Sequence, residues 1–370
     1  MRLTTAAALA ATTAFGAGAA AVAAGRHVSE LALKPRTDGP DPESLTVHSA
    51  TDREVTLTRT LGATRPGIHG ITGRDVHAAV GDVLSTAPGS VTRRLLRVGQ
   101  GALTAGQRVR LTPQVYDGDP ASALDLAYRD VEIPGELGPL PAWFVDGARD
   151  TWVVLVHGLG TTREHAMVVL PTLHALRLPS LVLAYRNDRG APRSPDGIGH
   201  LGDSEWRDLD AAMRYAVRHG ARRLVLYGWS AGATMALRAA CDSPLRALVA
   251  GMVLDSPVLD WQRTVRAAAA ARGTPRVLLP LGVRAAEGRT GLHAERIAEA
   301  AAPGRLSVPT LIFHGPGDTL APWGPSRELA RLRPDLVMLH PVGDASHAAM
   351  WNANPQPYEE AVRRFLTPLL

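Results

Sequence analysis

The distribution of hydrophobic and polar residues changes at about residue 150. From there on, apolar runs of strand length alternate with amphipathic stretches of helix length. The apolar runs lie at 152–156, 181–185, 224–227, 249–254, 310–313 and 336–339. The helical stretches lie at 163–176, 204–218, 231–242, 325–333 and 357–369. This alternation predicts an α/β fold, in which a mostly parallel sheet is covered by helices on both faces.

The preceding part of the chain has a different pattern. Residues 45–130 contain short segments in which apolar and polar residues alternate, such as 55–58 and 108–111. Turn-forming pairs such as Asp117-Gly118 separate these segments. Alternation over a few residues between turns is typical of strands that bury one face. The pattern therefore predicts a small β-rich N-terminal region over residues 45–130.

The first 25 residues have the composition of a targeting segment. Residues 3–24 carry no charged side chain and follow Arg2. A run of this length can span a membrane, and Ala21-Val22-Ala23 also provides a signal-peptidase motif. We expect residues 1–25 to be a membrane anchor or a signal peptide. A soluble, disordered tail is the third alternative.

The residues after this run favour the anchor. Arg26, Lys34 and Arg36 follow it, and positive flanks tend to stay on the cytoplasmic side of a membrane. Residues 26–44 contain several prolines and are predicted to be a linker. We therefore expect membrane association through the N-terminal segment. Secretion after signal cleavage is the alternative.

Composition narrows the function classes further. The chain has 370 residues, is 45% hydrophobic and has a net charge of +5. Its arginines are scattered and form no basic run interleaved with aromatic residues, which argues against a nucleic-acid partner. The single cysteine, Cys241, excludes an internal disulfide and a thiolate metal cluster. No zinc-protease, P-loop or dinucleotide motif occurs, so we expect no metal and no cofactor.

A candidate nucleophile follows one of the predicted strands. Gly228-Trp229-Ser230-Ala231-Gly232 has the pattern G-x-S-x-G, directly after the strand 224–227 and directly before a predicted helix. In this context the serine lies on a sharp strand-to-helix turn that exposes its hydroxyl. The backbone N–H of the next residue, Ala231, is the expected donor to an oxyanion. Ser230 is therefore the predicted nucleophile.

Three elements together resemble the α/β-hydrolase superfamily, from about residue 131 to the C-terminus. They are His157-Gly158-Leu159-Gly160 after a strand, the segment around Ser230, and Asp318 followed by His347. Within the superfamily, Tyr185-Arg186-Asn187-Asp188 and the helix start at Glu205 resemble bacterial dipeptidyl-peptidase-like and Bem46-like members. The resemblance implies an α/β-hydrolase domain over residues 131–370.

The resemblance also implies the base and the acid. His347 lies in the loop after the last strand, where the superfamily has its catalytic histidine. Asp318 follows the strand 310–313 and gives the chain order Ser, Asp, His of these enzymes. Asp255, which follows the strand 249–254, is the main rival for the acid, and Asp344 is a lesser one.

The remaining expectations concern the oxyanion loop, the lid and the reaction. By resemblance, Leu159 supplies the second oxyanion donor and His157 braces its loop. Residues 256–307 form either a small lid or core helices. A serine hydrolase acting on a small-molecule or lipid-like ester is the first hypothesis. A peptidase or acyltransferase with the same triad, and a non-catalytic binding protein of this fold, are the alternatives.

Overall fold

The computed structural model describes Gly25, His27 and residues 44–271, 273–290 and 294–370. The predicted anchor or signal and most of the predicted linker lie outside these residues. In the part of the chain that is described, no helix is long and apolar enough to cross a membrane.

The β-rich region forms a closed barrel of antiparallel strands. Its strands in chain order are β1 (Leu45–Ala50), β2 (Glu54–Thr58), β3 (His69–Thr72), β4 (His77–Thr86), β5 (Ser90–Gln100) and β6 (Arg108–Thr112). Around the barrel they follow the order β1-β2-β5-β4-β3-β6, and β6 pairs with β1 to close it. Closure leaves no unpaired edge. Alternate residues such as Val55, Leu57 and Val91 point inward and are fully buried.

An arginine in β5 breaks this apolar alternation. Arg93 is fully buried, between the inward-facing Val91 and Leu95. Its guanidinium donates five hydrogen bonds of 2.6–3.0 Å to backbone carbonyls. The acceptors belong to Gly81 and to the loop between β2 and β3, at Ala63, Arg65 and Gly67. Burial lowers the pKa of Arg93 to about 10, so the side chain stays charged at neutral pH. It fixes this loop to the inside of the barrel.

We expect Arg93→Met to destabilise the protein by about 3 kcal/mol or more, because several buried carbonyls lose their donor and each costs about 1–3 kcal/mol. Urea unfolding monitored by circular dichroism measures the change. Arg94→Met is the matched control, since Arg94 is the next residue of β5 and is exposed. Equal stability of the two variants would contradict this role of Arg93.

The second unit is an eight-stranded sheet. Its strands are β7 (Arg129–Pro134), β8 (Pro139–Val145), β9 (Thr151–Val156), β10 (Ser180–Leu183), β11 (Arg223–Trp229), β12 (Val249–Asp255), β13 (Thr310–His314) and β14 (Val337–Pro341). They lie in the order β14-β13-β12-β11-β9-β10-β8-β7. The strands from β14 across to β10 are parallel. At the other edge β8 pairs antiparallel with β10, and β7 pairs antiparallel with β8. The predicted mostly parallel sheet is confirmed.

Helices cover both faces of this sheet. In chain order they are α1 (Pro120–Leu124), α2 (Leu170–Ala175), α3 (Trp206–Arg218), α4 (Ala231–Asp242), α5 (Trp261–Ala271), α6 (Leu279–Thr290), α7 (Ala294–Ala300), α8 (Trp323–Leu332), α9 (Met350–Ala353) and α10 (Pro355–Leu366). One apolar core joins the sheet to α3, α4 and α8. A separate core on the opposite face joins it to α2 and α10. The predicted α/β-hydrolase layering is therefore present.

The stretch between β12 and β13 has an apolar cluster of its own. Trp261 and Val265 of α5 and Val283 of α6 are buried in this cluster. They pack with Leu159 and Ala231, which flank the carboxyl ends of β9 and β11. Because this cluster lies outside the two cores of the sheet, the packing favours a lid over core helices, the two alternatives that the sequence leaves open.

The barrel is attached to the segment that follows β14. The Nδ2 of Asn352 donates to the carbonyls of Ile68 and Pro113, at 2.8 and 2.9 Å. The Ile68 N–H in turn donates to the Asn352 carbonyl at 2.9 Å. Asn352 is 1% exposed, so water does not compete for these bonds. The barrel is thereby held against α9, which begins three residues after His347.

Candidate active site

Ser230 lies on a strained turn between β11 and α4. Its backbone has φ 51° and ψ −114°, and residues other than glycine rarely adopt a positive φ. The turn brings the hydroxyl to the carboxyl end of the sheet, where parallel sheets bind their ligands. The Ser230 N–H donates to the Asp255 carbonyl at 2.8 Å, which ties the turn to the neighbouring strand β12.

Two glycines make this turn sterically possible. A Cβ on Gly228 would lie 2.4 Å from the backbone of Gly232. A Cβ on Gly232 would lie 2.2 Å from the carbonyl oxygen of Val156, at the end of β9. No side chain fits at such distances, so the G-x-S-x-G pattern follows from the close approach of strand, turn and helix.

Three predicted residues meet at the carboxyl ends of the strands. His347 comes from the loop between β14 and α9, and its Nε2 lies 2.7 Å from the Ser230 Oγ. Its Nδ1 lies 2.7 Å from the Oδ2 of Asp318, in the loop after β13. With Nδ1 donating to the carboxylate, Nε2 is left free to accept the serine proton. The structure thus forms one continuous hydrogen-bonded relay from Asp318 to Ser230.

Asp318 is held as a carboxylate. Burial by itself would raise its pKa, but the charge of His347 and the hydrogen bonds from His314, His347 and the Leu320 N–H keep the pKa well below its usual range. Its Oδ1 accepts from the N–H groups of Leu320 and Ala321, at 2.8 and 2.9 Å. The carboxylate therefore keeps its charge and its orientation toward the imidazole.

Asp255, the main rival for the acid, has different hydrogen-bond partners from Asp318. Its Oδ1 accepts from the Ser256 hydroxyl at 2.8 Å, and its Oδ2 accepts from the Tyr358 hydroxyl at 3.2 Å. Burial raises the pKa of Asp255 to about 7. Neither oxygen is hydrogen-bonded to His347. The lesser rival, Asp344, lies in the loop of His347 and forms no hydrogen bond to that ring within the described chain.

Two backbone N–H groups close to Ser230 in the structure, those of Ala231 and Leu159, are the predicted oxyanion donors. Ala231 is the first residue of α4, so its N–H has no partner within the helix, and the positive end of the helix dipole lies there. Leu159 belongs to the loop after β9. Within the described residues, neither N–H takes part in a hydrogen bond. A Cβ on Gly158 would lie 2.9 Å from the Cβ of Ser230, so this loop lies directly against the serine.

His157 stabilises the loop that contains Gly158 and Leu159. Its Nδ1 donates to the Gly158 carbonyl at 2.9 Å, and its Nε2 donates to the Oδ2 of Asp188 at 2.7 Å. Burial disfavours the charged imidazole, but the charge and hydrogen bond of Asp188 raise the pKa of His157 above its ordinary value. The ring also stacks on Tyr185, with centroids 4.5 Å apart. These contacts fix the peptide groups that carry the Leu159 N–H.

Two further residues contact this group and do not stand out in the sequence. The His314 Nε2 lies 3.4 Å from the Asp318 Oδ2 and 3.1 Å from the Ala321 carbonyl. Ser256 accepts from the Ala348 N–H at 3.0 Å, which holds the residue after His347. The contact between His314 and Asp318 could have been predicted from their spacing, because the two residues lie four positions apart at the end of a strand.

The described residues contain no group of three or more His, Cys, Asp or Glu side chains placed to hold a metal ion. His165 lies near the relay, but burial lowers its pKa to about 3, so the ring is neutral. It packs against Trp229 with ring centroids 5.1 Å apart. We assign it a packing role.

Comparison with known proteins identifies the family to which the chain is similar. A family model described as "Alpha/beta hydrolase family" matches residues 153–368. Residues 46–112, which form the barrel, match a "Domain of unknown function (DUF8805)". No curated protein matches the chain.

Solved structures share the fold of the larger unit. The Pyrococcus furiosus esterase Pf2001 is 23% identical with a TM-score of 0.55, over 69% of this chain and 95% of the esterase. DcsB, solved in complex with its substrate analogue, is 14% identical with a TM-score of 0.51, over 66% of this chain and 100% of DcsB. At these identities the likeness concerns the fold. Because the family model covers more than half of the chain, the chain belongs to the alpha/beta hydrolase family.

Proposed function

We propose that this protein is a serine hydrolase that cleaves a carboxylic ester through an acyl-enzyme, with Ser230 as nucleophile, His347 as base and Asp318 as the orienting acid. The observation that carries the proposal is the relay of two 2.7 Å hydrogen bonds that ends at a serine on a strained strand-to-helix turn. A serine hydroxyl is a poor nucleophile until a base is placed to accept its proton.

In the first step, the Ser230 Oγ attacks the carbonyl carbon of the ester while its proton passes to the His347 Nε2. The C=O electron pair moves onto the oxygen and forms a tetrahedral oxyanion. Asp318, held as a carboxylate, stabilises the imidazolium that results. The N–H groups of Ala231 and Leu159 are the proposed donors to the oxyanion.

In the second step, the C–O bond to the leaving group breaks and the imidazolium gives its proton to the leaving alkoxide. This leaves the acyl group on Ser230. A water molecule then attacks the acyl carbon as His347 takes its proton, and the bond to Ser230 breaks as the imidazolium returns that proton to the Ser230 Oγ, which releases the acid. The substrate class that we propose is a small-molecule or lipid-like acyl ester, and no step needs a cofactor.

A fluorophosphonate probe tests this proposal directly, because it reacts with an activated serine and leaves unactivated hydroxyls intact. The expected result is stoichiometric labelling at Ser230, mapped by peptide mass spectrometry, and no labelling of a Ser230→Ala variant. A panel of para-nitrophenyl esters and peptide para-nitroanilides then separates an esterase from a peptidase. Labelling at another serine, or none, would contradict the proposal.

We also propose that residues 3–24 hold the protein at a membrane, on the basis of their uncharged sequence and the cationic residues that follow. Cell fractionation with N-terminal sequencing is the measurement. The expected result is an intact N-terminus in the membrane fraction. A soluble extracellular protein that begins near Ala24 would indicate a cleaved signal peptide instead, and an intact, soluble cytosolic protein would contradict both.

A further inference from the structure

A cavity of about 320 Å³ lies between the barrel and the hydrolase domain. The barrel contributes polar side chains from β3, β4 and β6 and from the segment after β6. They are Thr72, His77, Arg110, Thr112 and Gln114. The hydrolase domain contributes the loop after β9, including Leu159 and Gly160, and the loop after β10, including Arg189. Neither unit alone encloses this space.

The cavity begins beside the proposed reacting centre. Gly158 packs against Ser230, and the next two residues, Leu159 and Gly160, form part of the cavity wall. The residue that carries a proposed oxyanion donor therefore also borders the cavity. The loop 158–160 therefore contacts Ser230 and also borders the cavity, and we infer that a substrate bound at Ser230 reaches the cavity past this loop.

The two walls are joined by specific hydrogen bonds. The Oε1 of Gln114, from the barrel side, accepts from the Thr162 hydroxyl at 3.0 Å and from the Thr162 N–H at 3.4 Å. Thr162 lies in the same loop as Leu159. Together with the Asn352 bonds to Ile68 and Pro113, this contact fixes the barrel relative to the oxyanion loop. The cavity is thus a defined part of the structure.

The charges on the wall are mostly positive. Asp188 is the one carboxylate among the lining residues, and its charge is balanced by His157 at 2.7 Å. Arg186 is balanced by Asp208, which contacts it at 2.6 Å from outside the cavity. This leaves Arg110 and Arg189, for which the described part of the chain provides no ion-pair partner. One of these arginines comes from the barrel and the other from the hydrolase domain, and guanidinium groups at a cavity wall attract anions.

We propose that this cavity binds an anionic oxygen group carried by the substrate, a carboxylate or a phosphate, and that Arg110 and Arg189 recognise it. The inference rests on the proposed function, since it assigns the substrate class of the same site. Guanidinium groups bind both kinds of oxyanion through paired N–H donors. In this arrangement the barrel supplies one of the two arginines that recognise the substrate.

Paired substrates test the inference. Mono-para-nitrophenyl adipate carries a carboxylate, and para-nitrophenyl hexanoate has the same acyl length without one. We expect kcat/KM to favour the adipate by about tenfold or more at low ionic strength, and salt to reduce this preference. Arg110→Gln and Arg189→Gln should each lower kcat/KM for the adipate by about threefold or more and lower kcat/KM for the hexanoate by much less, so that each reduces the preference.

The chain offers matched controls for both variants. Arg108→Gln removes the same charge from β6, and Arg193→Gln removes it from the segment that follows Arg189. Both residues are exposed and lie outside the cavity wall. These controls should keep the wild-type preference. Equal losses in the controls and the cavity variants would overturn the inference, because they would reflect net charge alone.

A binding measurement separates this inference from the proposed function. Isothermal titration of a Ser230→Ala variant with monomethyl adipate, methyl hexanoate and inorganic phosphate needs no turnover. Binding of an anionic ligand that is lost in Ser230→Ala/Arg110→Gln supports the inference even if no ester is hydrolysed, and the better anion identifies the group. Absence of any anion preference overturns it even if Ser230 proves to be the nucleophile.

Discussion

Ser230→Ala is expected to lower the kcat for an activated short-chain ester by several powers of ten and to leave the fold intact. The variant removes the proposed nucleophile, whereas Asp318, His347 and the proposed oxyanion donors stay in place. Residual activity over the uncatalysed reaction then comes from binding and oxyanion stabilisation alone. Steady-state kinetics with para-nitrophenyl acetate, together with the thermal unfolding curve, measure both parts of this prediction.

Ser204→Ala is the matched control. The Ser204 hydroxyl also lies 2.7 Å from a histidine nitrogen, the Nδ1 of His200, and the Nε2 of His200 contacts Asp196 at 2.7 Å. This second Ser–His–Asp group lacks the strained strand-to-helix turn, since Ser204 is not among the described residues with positive φ. We expect Ser204→Ala to keep wild-type activity. A well-folded Ser230→Ala variant with normal turnover would disprove the nucleophile assignment.

The parallel sheet was predictable because most of its strands are buried on both faces and therefore consist of continuous apolar runs. Each of the six apolar runs, such as 224–227, overlaps a strand of the structure. The last run overlaps β14, an edge strand in which Met338 is half exposed. The strand-to-helix turn at Ser230 was predictable because its two glycines are required by contacts of 2.2–2.4 Å. Local sequence therefore carries both the sheet and the turn.

The barrel was predictable only as a β-rich region. Its closure depends on pairs that are distant in sequence, such as Leu45 with Val109, and local alternation does not determine which strands pair. Arg93 shows the same limit. In sequence it belongs to an Arg-rich stretch of ambiguous pattern, and its buried position is stabilised by carbonyls of a loop that folds back between β2 and β3.

The contacts around the relay were less predictable than the relay itself. Chain order and family resemblance predict Asp318 and His347. They do not predict that Asn352 contacts the barrel or that Gln114 contacts Thr162. These contacts arise where the barrel meets the unit that contains the eight-stranded sheet. The cavity with Arg110 and Arg189 has the same origin, and no motif in either unit predicts it.

Asp318→Asn is expected to lower kcat/KM by roughly a thousandfold or more, and Asp255→Asn by less than about tenfold. The amide introduced by Asp318→Asn can donate to His347 and so hold the wrong tautomer, with a proton on the Nε2 that must accept from Ser230. Asp255 contacts Ser256 and Tyr358 instead, and an amide in its place can accept from one of these hydroxyls and donate to the other. A crippled Asp255→Asn beside a nearly normal Asp318→Asn would reverse the assignment.

The same two variants should also shift stability in opposite directions at pH 8. The folded-state pKa of Asp255, about 7, exceeds its ordinary value of 3.8, so this group stabilises the fold below pH 3.8 and loses that contribution as the pH rises through 7. An asparagine at this position does not ionise, so Asp255→Asn avoids the cost of burying a charged carboxylate. The variant should therefore be more stable than wild type at pH 8, by up to about 4 kcal/mol. The depressed pKa of Asp318 has the opposite sign: its contribution is present above its ordinary pKa and disappears as the pH falls, so Asp318→Asn should be destabilised at pH 8. Urea unfolding of the three proteins at pH 5 and pH 8 measures both effects, and a destabilised Asp255→Asn at pH 8 would show that the folded-state pKa of Asp255 is not raised.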